Sequence, residues 1–441
     1  MTKKIFSLAT ALCLGTTLVF AQTNGSNSPY SRYGFGLLND GGQSFNKGMA
    51  GVGYSLAGGQ VINGKNPASY AQIDSLTFLF DVGVSLQNAN LKSNDRRVNA
   101  RNTSIDYITA AFRLRRGLGM SVGFLPFSTI GYNMETSSEI VRPSGNVVQS
   151  DYYSGDGGLH NAFIGLGWRP FKNLSVGMNA GYLWGSMSHT ILVSFSDANI
   201  DSRRREYQAD VSTYKLDFGL QYNLRLNKKN RVGLGLTYGL GHPIDNSANY
   251  YEQRISSSSV VTADTQSVKK AFDLPHTFGA GLSWNYNNSL TVAVDYTLQK
   301  WADANYPILS SDGTVYTKDK NSFKNLHKIA AGVEYLGNPE GLYWRQRVRY
   351  RAGFAYTSPY TKMGGTDGPS SLLFSAGVGL PLSNRFTNNG RSVNPSVPVL
   401  NIAVQYEHIS PRQAGFLSEN YLRLSIGLTF NERWFQKWKV E

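Results

Sequence analysis

The sequence is poor in charge and cysteine and has no long hydrophobic run after its first residues. Charged side chains make up 16% of its 441 residues, against about 25% in ordinary soluble domains. Its single cysteine, Cys13, lies in a leader-like N-terminus. A chain processed behind that leader has no disulfide and no thiolate to offer a metal. Beyond the N-terminus no segment reaches the roughly 18 apolar residues that a transmembrane helix needs. If the chain crosses a membrane, it crosses as a closed barrel of strands. Catalytic signatures are missing too. "GYSLAGG" falls one residue off GxSxG, and no GxxxxGK[ST] loop is present. His160, His189, His242, His276, His327 and His408 are dispersed over separate segments. The expectation is no enzyme, no cofactor and no metal.

Residues 1–21 read as a secretory signal: Lys3 and Lys4, an apolar stretch from Ile5 to Phe20, then Ala21 before the cleavage point. Leu12 before Cys13 argues against lipidation. The formal charge of +14 is scattered rather than gathered on one face, so nucleic acid is not an expected partner. Arginine clusters at Arg96–Arg97 and Arg203–Arg205 fall in expected external loops. They read as solvated loops or as contacts for anionic outer-membrane lipid and lipopolysaccharide.

What the chain does have is alternation. Leu290, Val292, Val294, Tyr296 and Leu298 alternate with Thr291, Ala293, Asp295, Thr297 and Gln299, and similar runs recur to the C-terminus. A period of two gives a strand with one apolar and one polar face. About 14 strands are expected, beginning near Leu76, Ser104, Gly117, Leu159, Leu174, Tyr207, Arg231, Pro275, Leu290, Lys324, Arg345, Ser371, Val397 and Asn420. Their connections alternate short, as in "RRGLG" and "NYNNS", and long, as over 133–158, 196–206, 245–273 and 302–323. That parity suits a membrane barrel with short periplasmic turns and long external loops. "LSNRFTNNGRSVNPSVP" is long where a short turn is due. Trp168, Tyr182, Trp184, Tyr238, Trp284, Tyr286, Trp301, Tyr335 and Tyr356 sit near strand ends, as interfacial aromatics do.

The expected architecture is therefore all-β: a transmembrane antiparallel barrel over 76–430, behind a plug at 22–75 and ahead of a periplasmic tail at 431–441. In this frame Asp295, Glu334, Arg349, Arg351, Glu407 and Arg423 face the lumen, with opposite signs on adjacent strands. They form either a structural ion-pair lattice or, through the three arginines, an anion site. The glycine-rich segment before the first strand opens with "NSPYSRYGFG", too aromatic to leave in water. It is expected inside the lumen, with Tyr30, Tyr33 and Phe35 against the wall or beside a ligand path.

Several stretches, in order, resemble the FadL-like outer-membrane barrels that carry long-chain fatty acids and aromatic hydrocarbons. "NGKNPASYAQID" is similar to the hatch signature and places it on Asn66, Pro67 and Ala68. "GFLPFSTIGYNM" resembles the third strand, with Pro126 and Phe127 at its kink; "LPHTFGAGLSWNYNNSLTVAVDYTLQKWAD" and "VRYRAGFAYTSPY" resemble later blocks. The resemblance implies a 14-stranded barrel in the outer membrane of a Gram-negative bacterium. It also implies an N-terminal hatch and passive uptake of a hydrophobic ligand that leaves sideways at the kink. Proline supports the kink physically, because it has no ladder N–H. The charged lumen, the opening segment and the tail "NERWFQKWKVE" depart from that family. They keep a second function open: a non-transporting accessory barrel of an outer-membrane assembly or secretion complex. In that case Trp434, Phe435 and Trp438 either dock a partner protein or anchor the tail at the interface.

Overall fold

In the computed structural model, residues 26–433 are described except 76, 94–95, 144, 257–258, 339–340, 342, 383–386, 389–390, 393–396 and 413–415. The signal segment and the aromatic tail from Trp434 onward lie outside the described residues.

Fourteen strands close the wall: β1 Thr77–Ser93, β2 Arg96–Arg115, β3 Leu118–Pro126 continuing past Phe127 as Ser128–Ile140, β4 Val147–Trp168, β5 Leu174–Phe195, β6 Ser202–Arg225 and β7 Asn230–Gly239. The circuit continues through β8 Thr277–Tyr286, β9 Leu290–Gln299, β10 Leu326–Leu336, β11 Arg349–Thr357, β12 Ser370–Pro381, β13 Val399–Ser410 and β14 Ser418–Arg433. Each strand pairs antiparallel with its sequence neighbour, and β1 closes on β14 from Thr77↔Arg433 to Lys92↔Ser418. Closure leaves no sheet edge to lipid, which is what a membrane demands.

Side chains are arranged inside out. Along β9, Val292, Val294 and Tyr296 are exposed while Ala293, Asp295 and Thr297 are buried. Outward apolar residues meet lipid, and inward polar ones meet protein. Trp168, Tyr182, Trp284, Tyr286 and Tyr335 are exposed on the outer surface, where an interfacial girdle belongs. Trp301 does not join them: it is fully buried. It sits just past β9 in a loop that folds over the lumen.

Strand lengths are unequal. β7, β8 and β9 have 10 residues each, about what a tilted membrane-spanning strand needs. β4 and β5 have 22 and β6 has 24, so their outer halves rise beyond the membrane. The hairpin Ala248–Ser256 with Ser259–Val268 adds to the outer half of β6. Segments expected as external loops at 133–158 and 245–273 are therefore largely strand. Both faces of this raised sheet meet water or loop, so no apolar alternation marks it in the sequence.

Left-handed glycines line up across the base of the raised sheet. Gly157 and Gly158 on β4 and Gly185 on β5 have φ of +119°, +137° and +154°. Pro126 and Phe127 stand in register with them: Phe127 N donates to Leu159 O at 2.7 Å. A Cβ at Gly158 would strike the Ser128 carbonyl, and one at Gly185 the Gly158 carbonyl. Only glycine tolerates both the φ and the approach.

Candidate functional site

Residues 26–74 pack against the inward face of the wall. Their fit rests on a girdle of inward glycines. A Cβ at Gly119, Gly177, Gly235, Gly332, Gly353 or Gly427 would collide with Tyr70, Pro67, Tyr54, Met49, Met49 again or Ser44. Those six glycines belong to β3, β5, β7, β10, β11 and β14, so the close approach runs around the barrel. At Gly119, Gly177, Gly235 and Gly353 the group met is hatch backbone.

Asn66, Pro67 and Ala68 form the start of a short 3-10 helix, Pro67–Gln72. Asn66 caps it, accepting from Ala68 N at 3.1 Å. The same side chain donates from Nδ2 to Tyr54 O at 2.7 Å and to Leu220 O of β6 at 3.2 Å. Proline at the first helical position lacks only an N–H that would be unpaired anyway. The motif thus locks one hatch turn to another and to the wall.

The lumen charges separate into two roles. Asp295 accepts from Gly53 N at 2.7 Å and Tyr54 N at 2.9 Å, so it anchors the hatch. Tyr54 reinforces this with a hydroxyl bond to Thr297 at 2.8 Å. Burial pushes the Tyr54 phenol up to about 12, so it stays protonated. Glu334 accepts from Arg349 at 2.9 Å and Arg351 at 2.7 Å, and Arg351 also reaches Asn401 at 2.7 Å. Arg423 pairs with Glu407 at 2.5 Å and with Gln87 at 2.6 Å. All three arginines are engaged with carboxylates of neighbouring strands. Asp40 of the hatch is flanked by cations. Its side chain keeps 29% of its exposure, so desolvation by the surrounding protein opposes its ionisation only in part, and Lys328, Lys65 and a bond from Gly42 N hold the carboxyl well below the usual carboxylate range.

The opening segment lies at the outer end of the lumen. Phe35 is fully buried, with ring centroids of Trp301 at 5.3 Å, Phe272 at 5.7 Å and Phe323 at 6.4 Å. Tyr306 donates to Gly34 O at 3.0 Å and Tyr360 donates to Gly36 O. Gly34 and Gly36 have φ of +61° and +84°, which turn the chain under this aromatic lid. Tyr30 donates to Leu417 O at 2.5 Å, and Ser28 Oγ bonds both oxygens of Glu419. Tyr33 lies beneath Arg32, whose guanidinium carbon also stands 4.5 Å from the Tyr153 ring centroid. Sequence reading missed the lid partners Phe272, Tyr306, Phe323 and Tyr360. Their signal was present as aromatic residues in otherwise polar loops.

At the third strand, β3 pairs with β2 only from Ile108↔Phe124 to Arg115↔Leu118. Past Phe124 it follows β4 instead, first to Pro126↔His160 and then from Ile130↔Gly157 to Ile140↔Val147. Among the described residues, Arg96–Tyr107 of β2 pairs with β1 alone. Pro126 and Phe127 therefore stand where β2 and β3 part. Part of the resulting seam is filled by the opening segment. Leu37 and Leu38 pair with Thr129 and Ser128, Asn39 N donates to Phe127 O at 2.9 Å, and Ser28 N donates to Gly131 O at 3.2 Å. On the other lip, Asn27 reaches Asn102 at 2.8 Å.

A closed 14-stranded antiparallel wall around an N-terminal segment gives this chain the fold of solved FadL-like barrels. Solved structures bear this out at the level of fold. The CymD monoaromatic hydrocarbon channel superposes with a TM-score of 0.59 at 18% identity, covering 90% of this chain and 100% of its own. A Pseudomonas aeruginosa FadL homologue gives 0.60 at 12% identity over 88% and 98% of the two chains. The P. putida toluene transporter TodX gives 0.60 at 13% over 90% and 100%. No curated protein matches the sequence. The family model described as BamG matches residues 1–441, and the chain belongs to the BamG family.

Proposed function

We propose that this protein is a sealed, non-transporting barrel of the Gram-negative outer membrane that serves as an accessory subunit of a membrane-protein complex. The observation that carries this reading is the glycine girdle. Hatch backbone sits so close to the wall on several strands that a single methyl group has no room. The aromatic lid around Phe35 adds a second barrier above it. The lumen arginines are engaged with carboxylates and hold the wall together rather than a ligand.

A second reading has its own support. The parting of β2 and β3 at Pro126 and Phe127 offers a lateral exit, and the structural neighbours include proteins named as hydrocarbon channels. On that reading a hydrophobic small molecule enters from outside and leaves into the bilayer. One experiment separates the two. Proteoliposomes carrying the full chain are assayed for toluene and fatty-acid uptake, and the protein is purified from native outer membranes in mild detergent. The sealed-subunit reading expects uptake equal to empty liposomes and stoichiometric co-purification of other membrane proteins. Saturable uptake by a protein that isolates alone would replace it with the channel reading.

A further inference from the structure

The seam leaves a strand edge open outside the membrane. From Asn133 to Ile140, β3 pairs with β4 on one side only. Among the described residues, nothing pairs with its other side above Gly131. Counting about 10 membrane-spanning residues upward from Leu118 puts the hydrocarbon boundary close to Ser128. The open edge is therefore above the bilayer, in water.

Such an edge presents unpaired N–H and C=O groups at every second residue and is a template for another strand. Natural edges are usually blunted by charged side chains, lysine above all, by proline or by a bulge, and the charges this edge carries are Glu135 and Glu139. "NMETSSEI" has no proline and no lysine, and its pairing with β4 is regular throughout. The lower part of the same edge already accepts a strand. Leu37 and Leu38 of this chain's own opening segment pair with it at Thr129 and Ser128. Beside the free part lies an open-sided cavity of about 160 Å³, lined by Pro29, Tyr30, Arg32, Tyr33, Met134, Phe416 and Leu417. A space near 150 Å³ admits a benzene-sized group, so this one takes a single aromatic or branched aliphatic side chain. Strand addition draws affinity from the backbone ladder and specificity from pockets for alternate side chains. Both components are present here. Met134 points toward the cavity, so Glu135 and Glu139 fall on the opposite face, and both are exposed.

We propose that the open β3 edge, Asn133–Ile140, docks an extended segment of a partner protein outside the membrane. The segment adds as a strand, places one apolar side chain in the Met134 cavity and sets basic side chains against Glu135 and Glu139. This deepens the accessory-subunit reading and rests on it: the edge is where the partner is held.

The test uses the full chain in native outer membranes. Met134→Trp fills the cavity, Glu135→Lys with Glu139→Lys reverses the charge, and a photo-crosslinking amino acid at Thr136 probes the edge. Barrel integrity is checked by heat-dependent gel mobility. The expected result is at least a tenfold loss of co-purified partner in both variants, with mobility unchanged. The crosslink is expected to map to one segment of that partner. Undiminished co-purification with correctly folded variants, or no crosslink from Thr136, overturns the docking edge while leaving the accessory reading intact. A wild-type protein that isolates alone overturns both.

Discussion

At the residue scale, inward polar groups serve mainly to fix the hatch and brace the wall. Asp295 is the clearest case, because two consecutive hatch N–H groups end on its carboxylate. Asp295→Ala leaves both donors buried without a partner, a cost of about 1–3 kcal/mol. A fall of that size in the free energy of hatch opening, read from the urea dependence of its protection against protease, is expected, with the barrel itself still folded. Arg351→Ala acts differently: it strands part of the charge on Glu334, whose remaining partner Arg349 is the more exposed of the two. Breaking a buried pair in this way costs roughly 3–5 kcal/mol, which should appear as loss of heat-resistant mobility. Asp40 supplies a pH dependence. Its folded pKa lies below its unfolded value, so its stabilisation is complete above the ordinary carboxylate range. That stabilisation is lost only as pH falls through the lower folded value. Hatch protection should be flat from neutral pH to about pH 4, decline below it, and lose this acid step in Asp40→Asn.

At the element scale, the third strand decides the outline of the molecule. Its lower part belongs to the wall, and its upper part belongs to a raised sheet that meets the wall at the positive-φ glycines Gly157, Gly158 and Gly185. Gly158→Val puts a branched side chain on the Ser128 carbonyl and forces a φ that valine avoids. Hydrogen exchange should rise across Ser128–Ile140 and stay low across Phe163–Trp168 of the same neighbouring strand. Similar exchange in both stretches would mean that the raised sheet and the wall unfold together. Pro126 was readable as an interruption because proline cannot join a ladder. The glycine line was not readable. Glycine is common throughout this chain, and nothing local distinguishes a glycine of this line from one that makes room for the hatch.

At the scale of the whole molecule, closure of the wall and filling of the lumen are one design. A barrel of this size encloses more space than its own side chains fill. Small inward residues widen that space further until the hatch occupies it. Removing residues 26–74 should convert an electrically silent barrel into a conducting one in planar bilayers. Wild-type conductance equal to that of the truncated chain would mean that the hatch does not seal.

The sequence by itself determined the class of fold, the number of strands and the membrane-facing pattern. Those follow from a period of two, which lipid outside and polar contacts inside impose on each strand separately. Asn66 with Pro67 and Pro126 were legible for the same reason, since each acts on its own backbone. Only the tertiary structure decided which glycines carry the hatch, which loop aromatics shelter Phe35, and which strand edge stays open. Those depend on approaches between segments hundreds of residues apart, such as Ser28 with Glu419. No local propensity encodes a distance of that kind.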